Sequence, residues 1–71
     1  MKYIELNTFL KISGLATSGG AAKQRIRAEE VRVNGEIETR NKRKLQENDV
    51  VTFQEKEYIV TKELCQKEIS Q

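Results

Sequence analysis

The apolar positions change their period along the chain, and each period predicts a different element. Residues 3–5 read as a short edge strand. Leu6, Phe9, Leu10 and Ser13 then follow helical spacing, with Lys11 turned outward. Asn7 or Thr8 is expected to cap this helix, over residues 8–13, by accepting from an orphan amide. Gly14 suits the left-handed position that ends it. Leu15, Ala16 and Thr17 lead to a second helix capped by Thr17 or Ser18. Ala22 and Ile26 form its apolar face. Lys23 and Arg27, also four apart, share another face with Gly20 and Gln24, and Arg25 points elsewhere. The helix should fade near Glu29 or Glu30.

Period two takes over in VRVNGEIE, where Val31 and Val33 alternate with Arg32 and Asn34-Gly35 signals a two-residue hairpin. Ile37 continues the second strand. TRNKRK holds four basic residues in six and no apolar one, so its self-repulsion predicts a loop. Leu45 anchors the chain again. Asn48-Asp49 turns into VVTF, and EYIVT returns after the polar QEKE as a second hairpin. Residues 62–71 are mostly polar, a tail or a short helix. The expected fold is α+β. Two short helices pack through Phe9, Leu10, Leu15, Ala22 and Ile26 on a small, mostly antiparallel sheet, and both hairpins close the core. The expected organisation is one domain over residues 1–61, followed by the tail.

Charge sharpens this picture. The net charge is only +2, but residues 19–44 hold eight basic and four acidic side chains, while the rest holds five basic and seven acidic. Such polarity marks an anion-binding surface or ordinary solubilising charge. Cys65 is the single cysteine, which fits a reducing compartment. No apolar run approaches the roughly 20 residues of a membrane span. Glu5, Asn7 and Lys11 interrupt what would be a signal peptide. A cytoplasmic protein away from membranes is expected, with a monomer as the default state.

Catalysis finds little support in the residues. Histidine is absent, Asp49 is the single aspartate and sits in a turn, and Cys65 lies in the polar tail without an imidazole. A metal site would need Glu36, Glu38 or tail carboxylates, which read more simply as solvated surface. No cofactor is expected. SGGAAK lacks the spacing of a phosphate-binding P-loop, and Lys23 is followed by Gln24 rather than Ser or Thr. Gly19 and Gly20 at a helix start either admit a phosphate to the free amides or permit close packing. Lys23 and Arg27 are either solvent-facing partners of Glu29 or Glu30, or contacts for a polyanion.

The ordered set Gly14-Leu15, Ser18, Ala22, Lys23, Ile26, Val31-Arg32-Val33-Asn34-Gly35, the basic run at 40–44 and Asn48-Asp49 resembles the S-four domain. This is the RNA-binding domain named after ribosomal small-subunit protein four. The resemblance covers about residues 6–60 and is nearest to a small free-standing bacterial branch of the family. It implies the alpha-L motif, two helices against a short bent sheet. It also implies a non-catalytic protein that binds structured RNA, with ribosomal RNA or a ribosomal subunit as partner and a role on the ribosome or in its assembly. Mapped onto this sequence, the contact residues are Ser18, Gly19, Gly20, Lys23, Arg27, Arg40, Lys42, Arg43 and Lys44, with Lys11, Gln24 and Asn41 added. Two positions depart from the family pattern. Gly19 stands where many members carry Arg, which removes a phosphate-binding side chain. Glu29 stands where members usually carry Gly, which is expected to change the turn. A basic module that docks an acidic protein is the alternative.

Overall fold

Two Asn- or Gly-bearing turns and one serine cap organise the chain as its spacing predicts. A computed structural model describes residues 2–68. The elements are β1 (Lys2–Glu5), α1 (Leu6–Ile12), α2 (Gly19–Arg27), β2 (Val31–Val33), β3 (Glu36–Ile37), β4 (Lys44–Leu45), β5 (Val50–Phe53), β6 (Lys56–Ile59), a 3-10 turn (Lys62–Leu64) and β7 (Lys67–Glu68). The strands pair antiparallel in two small sheets, in the orders β4-β1-β7 and β3-β2-β5-β6. This is the α+β architecture the sequence predicts.

Asn34 and Gly35 both have positive φ, 52° and 86°, the backbone of a type I′ turn that matches strand twist. Asn34 Oδ1 also accepts from Val50 N at 2.9 Å, and its Nδ2 donates to Asp49 Oδ1 at 3.3 Å. Asp49 Oδ2 accepts from Gln46 N at 2.8 Å. The single aspartate is therefore a turn residue that ties the two hairpins together. The β5–β6 turn uses the same left-handed pair with Gln54 and Glu55, at φ 53° and 66°.

Both helices end in the same way. At α1, Gly14 N donates to Lys11 O and Leu15 N to Leu10 O, with Gly14 at φ 76°. At α2, Glu29 N donates to Ile26 O and Glu30 N to Arg25 O, with Glu29 at φ 63°. Each is a Schellman end. Glu29 thus adopts the glycine-like turn instead of changing it as expected.

The core gathers Ile4, Leu6, Phe9, Leu10, Ala16, Ala22, Ile26, Val31, Val33, Leu45, Val51, Phe53, Val60 and Cys65. Leu15 packs against it, half-buried. The inner residues of both hairpins meet Ala22 and Ile26 there, but Ile37 of the first hairpin and Ile59 of the second are turned outward. Alternation explains Ile37. Ile37 pairs with exposed Arg32 on the outer sheet face, and the next residue, Glu38, points inward with Val31.

Four further expectations need correction. β1 is the middle strand of its sheet, not an edge, because β4 and β7 both arrive from far along the chain. Helix α1 begins at Leu6, so Asn7 and Thr8 lie inside it rather than at its cap position, although Asn7 Oδ1 does accept from the orphan amide of Thr8 at 2.9 Å. The two amides before that one, on Leu6 and Asn7, donate to the carbonyls of Arg43 and Asn41 at 2.9 and 3.0 Å. The basic run is not all loop, since Lys44 pairs with Glu5 in β4. Cys65 is core, 4% exposed, with its Sγ 3.9 Å from Leu45 O, and burial pushes its thiol pKa up. Residues 69–71 of the expected tail lie outside the described residues.

Candidate nucleic-acid interface

Residues 38–44 run from the end of β3 into β4, and their shape is fixed from both sides. From the helix side, the carbonyls of Asn41 and Arg43 receive the α1 amides. From within, Glu38 gathers the arginines. Its Oε2 accepts from Arg40 N at 2.9 Å and Arg40 Nε at 3.0 Å. Its Oε1 accepts from Arg40 Nη2 at 3.0 Å and Arg43 Nη1 at 2.7 Å. Glu38 was expected on the solvated surface, and it is 6% exposed. The Arg40 hydrogen bond, outweighing desolvation and helped by Arg43, lowers its pKa to about 2. The self-repulsion of the run is therefore relieved by a carboxylate of the same chain.

The remaining loop cations are held less tightly. The Lys44 ammonium sits 5.3 Å from the centre of the Tyr3 ring, within cation–π range. Lys42 is exposed and has no hydrogen-bond or ion-pair partner among the described residues. Arg40, Lys42, Arg43 and Lys44 together line an open cleft of about 520 Å³. Among the described residues, no acidic and no apolar residue lines it. Asn41 is half-buried, and its Oδ1 is shielded from solvent.

The second basic surface lies on α2. Ser18 caps the helix as predicted, its Oγ accepting from Ala21 N at 3.1 Å. Lys23, Gln24 and Arg27 are exposed, and no partner holds them among the described residues. The expected structural partners are therefore not theirs. Glu30 instead takes Arg25, at 3.2 Å. A Cβ placed on Gly19 would meet nothing within 4 Å, and one on Gly20 would meet only Ser18 Oγ at 3.9 Å. Neither glycine has positive φ. Close packing and turn strain thus both fail to explain them, and the helix start lies open. Lys11 is exposed at the far end of α1. Helix α1 packs on α2 and is capped by the loop, so it is the element between the two basic surfaces. Among the described residues no hydrogen bond or ion pair joins α2 directly to residues 38–44.

Sequence reasoning missed Glu38 as part of this surface. The available signal was the two-residue turn: it sets Val33 opposite Glu36 and Val31 opposite Glu38, so a hairpin that turns Val31 and Val33 inward turns Glu38 inward as well.

A small α+β domain with cations lining an open cleft is the frame of a polyanion-binding module. The family model of the S4 domain matches residues 1–61, most of the 71-residue chain, and the chain belongs to that family. S4 domains bind RNA and are typically non-catalytic modules. A search of curated proteins returns no match. No helix among the described residues is long and apolar enough to cross a membrane.

Proposed function

We propose that this protein binds structured RNA, with ribosomal RNA as the target, and acts without catalysis on the ribosome or during its assembly in the cytoplasm. The observation that carries the reading is the open cleft lined, among the described residues, by Arg40, Lys42, Arg43 and Lys44 alone. Phosphates spaced along an RNA strand neutralise such a cleft and release counterions, which makes binding salt-dependent. The face of α2 extends the surface with Lys23, Gln24 and Arg27. Its start offers Ser18, Gly19 and Gly20, where a phosphate can reach backbone amides that precede the first intrahelical bond. Lys11 and Asn41 add contacts at the margin. The chain has no Trp and no aromatic residue between 18 and 45, so recognition runs through RNA shape and phosphate positions rather than base stacking.

The test is sedimentation of tagged protein from cell lysate through a ribosome gradient, followed by sequencing of crosslinked RNA. Co-migration with a subunit or its precursor, with crosslinks at one ribosomal RNA position, is the expected result. A protein that stays at the top of the gradient, with no enriched crosslinks, overturns it. Capture of an acidic protein that persists after nuclease treatment points instead to a protein-docking role for the basic face.

A further inference from the structure

A polyanion-binding loop has little use for a carboxylate, yet Glu38 stands at its centre. Oε1 alone accepts from both guanidinium groups, Arg40 Nη2 at 3.0 Å and Arg43 Nη1 at 2.7 Å. That shared oxygen sets the two groups side by side at the wall of the cleft. A guanidinium carries five N–H donors. Arg40 spends its Nε–H and one Nη2–H on Glu38, and Arg43 spends one Nη1–H. Most donors of both groups therefore stay available. Stability alone gives no reason for a charge here, because an apolar residue fills a buried position without desolvating a carboxylate.

We propose that Glu38 is a positioning residue, which presets Arg40 and Arg43 as a two-guanidinium clamp for one RNA backbone phosphate. This rests on the RNA-binding reading above. Without Glu38 the like charges repel and each long side chain must be ordered when RNA arrives. With it, both guanidinium groups are already held to one carboxylate before RNA arrives.

The clamp predicts a sign that simple electrostatics reverses. Deleting a negative charge beside phosphates should strengthen binding, whereas deleting the residue that aligns the clamp should weaken it. The experiment is fluorescence anisotropy with a labelled, bulged RNA hairpin of roughly 16 base pairs, a span typical of shape readers. Glu38→Gln is expected to weaken binding about tenfold, the scale of a charge-assisted contact. Glu57→Gln removes the same charge from an exposed site on β6 and is expected to leave binding unchanged or slightly tighter. The Arg40→Lys/Arg43→Lys pair keeps the charge and removes the fork, and should match the loss. Adding Glu38→Gln to that pair should then cost nothing further. Tighter or equal binding by Glu38→Gln overturns the clamp, and so does a full loss that persists in the double-lysine background.

If circular dichroism shows that Glu38→Gln does not fold, the double-lysine variant decides, and its unchanged affinity overturns the proposal. Lys42→Glu separates the two readings. If wild type binds neither the hairpin nor ribosomal RNA, and Lys42→Glu changes nothing, the RNA reading fails and the clamp falls with it. If Lys42→Glu loses binding and Glu38→Gln does not, only the clamp fails.

Discussion

Residues 38–44 and the exposed face of α2 carry the same kind of charge and hold it in opposite ways. In the loop, one buried carboxylate grips Arg40 and Arg43, the Tyr3 ring lies under Lys44, and two backbone carbonyls are fixed by the start of α1. On α2, Lys23 and Arg27 are exposed and unpartnered among the described residues, and the Arg25–Glu30 pair is about half exposed on both sides. Exposed pairs of that kind contribute little to stability. A preset cation loses less freedom when it meets a phosphate than a mobile one does. On the proposed RNA-binding reading, the loop would take the larger share of geometry and α2 a broader, more forgiving share of charge.

The comparison breaks most visibly under charge reversal. Lys23→Glu with Lys42→Glu is expected to lower RNA affinity about a hundredfold near 0.1 M salt, with circular dichroism unchanged, because each reversal removes a phosphate contact and adds a repulsion. Lys42 suits this test better than Arg43, whose reversal would set a second carboxylate against buried Glu38. The single variants rank the regions, and Lys42→Glu should cost more than Lys23→Glu. Equal costs, read by filter binding across a salt series, would remove the distinction between a shaped loop and a diffuse helix face.

A pH series measures how firmly the loop is locked. The folded pKa of Glu38, about 2, lies below its ordinary value of 4.5, with the Arg40 hydrogen bond as the leading cause. A lowered folded pKa means stability that is fully present above about 4.5 and lost as pH falls through about 2. Wild type should therefore exceed Glu38→Gln in urea denaturation by on the order of 1–2 kcal/mol at neutral pH, the scale of hydrogen bonds to charged groups. That margin should shrink below pH 4.5 and vanish near 2. A margin that stays constant from pH 7 to 2.5 would show that the ion pairs contribute nothing.

Much of this arrangement was legible along the chain, and the exceptions share a cause. Ser18 as a cap, Asn34-Gly35 as a turn, and Ala22 with Ile26 as a buried face are all signals between residues at most four apart. The position of β1, the burial of Cys65 and the capping of α1 by loop carbonyls depend on partners more than thirty residues away in the case of Asn7 with Asn41, and local spacing carries no trace of them. Ile37 and Glu38 are the instructive pair. Polarity argued for Ile37 inside and Glu38 outside, strand alternation argued the reverse, and alternation prevailed because Arg40 and Arg43 give the inward carboxylate its partners. The cations of the surface were legible by number, while the residue that arranges two of them was not.

The carboxylate at the end of α2 sharpens the contrast from the other side. Glu29 occupies a left-handed position, φ 63°, that glycine fills at the end of α1. Glu29→Gly should raise stability by about 1 kcal/mol, the usual cost of a side chain in that conformation. It also removes a negative charge two residues from Arg27, so RNA affinity should stay level or rise slightly. These two of the four carboxylates in the basic stretch then respond differently: loss of Glu38 weakens binding and loss of Glu29 does not. Weaker binding by Glu29→Gly would show that the helix end, too, holds its cations in place.

The smallest expected effect tests whether RNA reaches the start of α2 at all. Folding has no visible use for Gly19, since a Cβ there meets nothing within 4 Å and its φ is not in the left-handed region. Gly19→Ala should therefore stabilise the protein by about 0.5 kcal/mol, because alanine restricts the unfolded chain at no steric cost in the fold. If a phosphate comes close to the amides of Gly19 and Gly20, the same methyl group obstructs it, and affinity should fall about threefold while stability rises, an effect opposite in sign to what helix propensity alone gives. Affinity that holds or improves with the gain in stability would confine the contact to the side chains of Lys23 and Arg27, and would leave residues 38–44 as the place where RNA meets backbone-level shape.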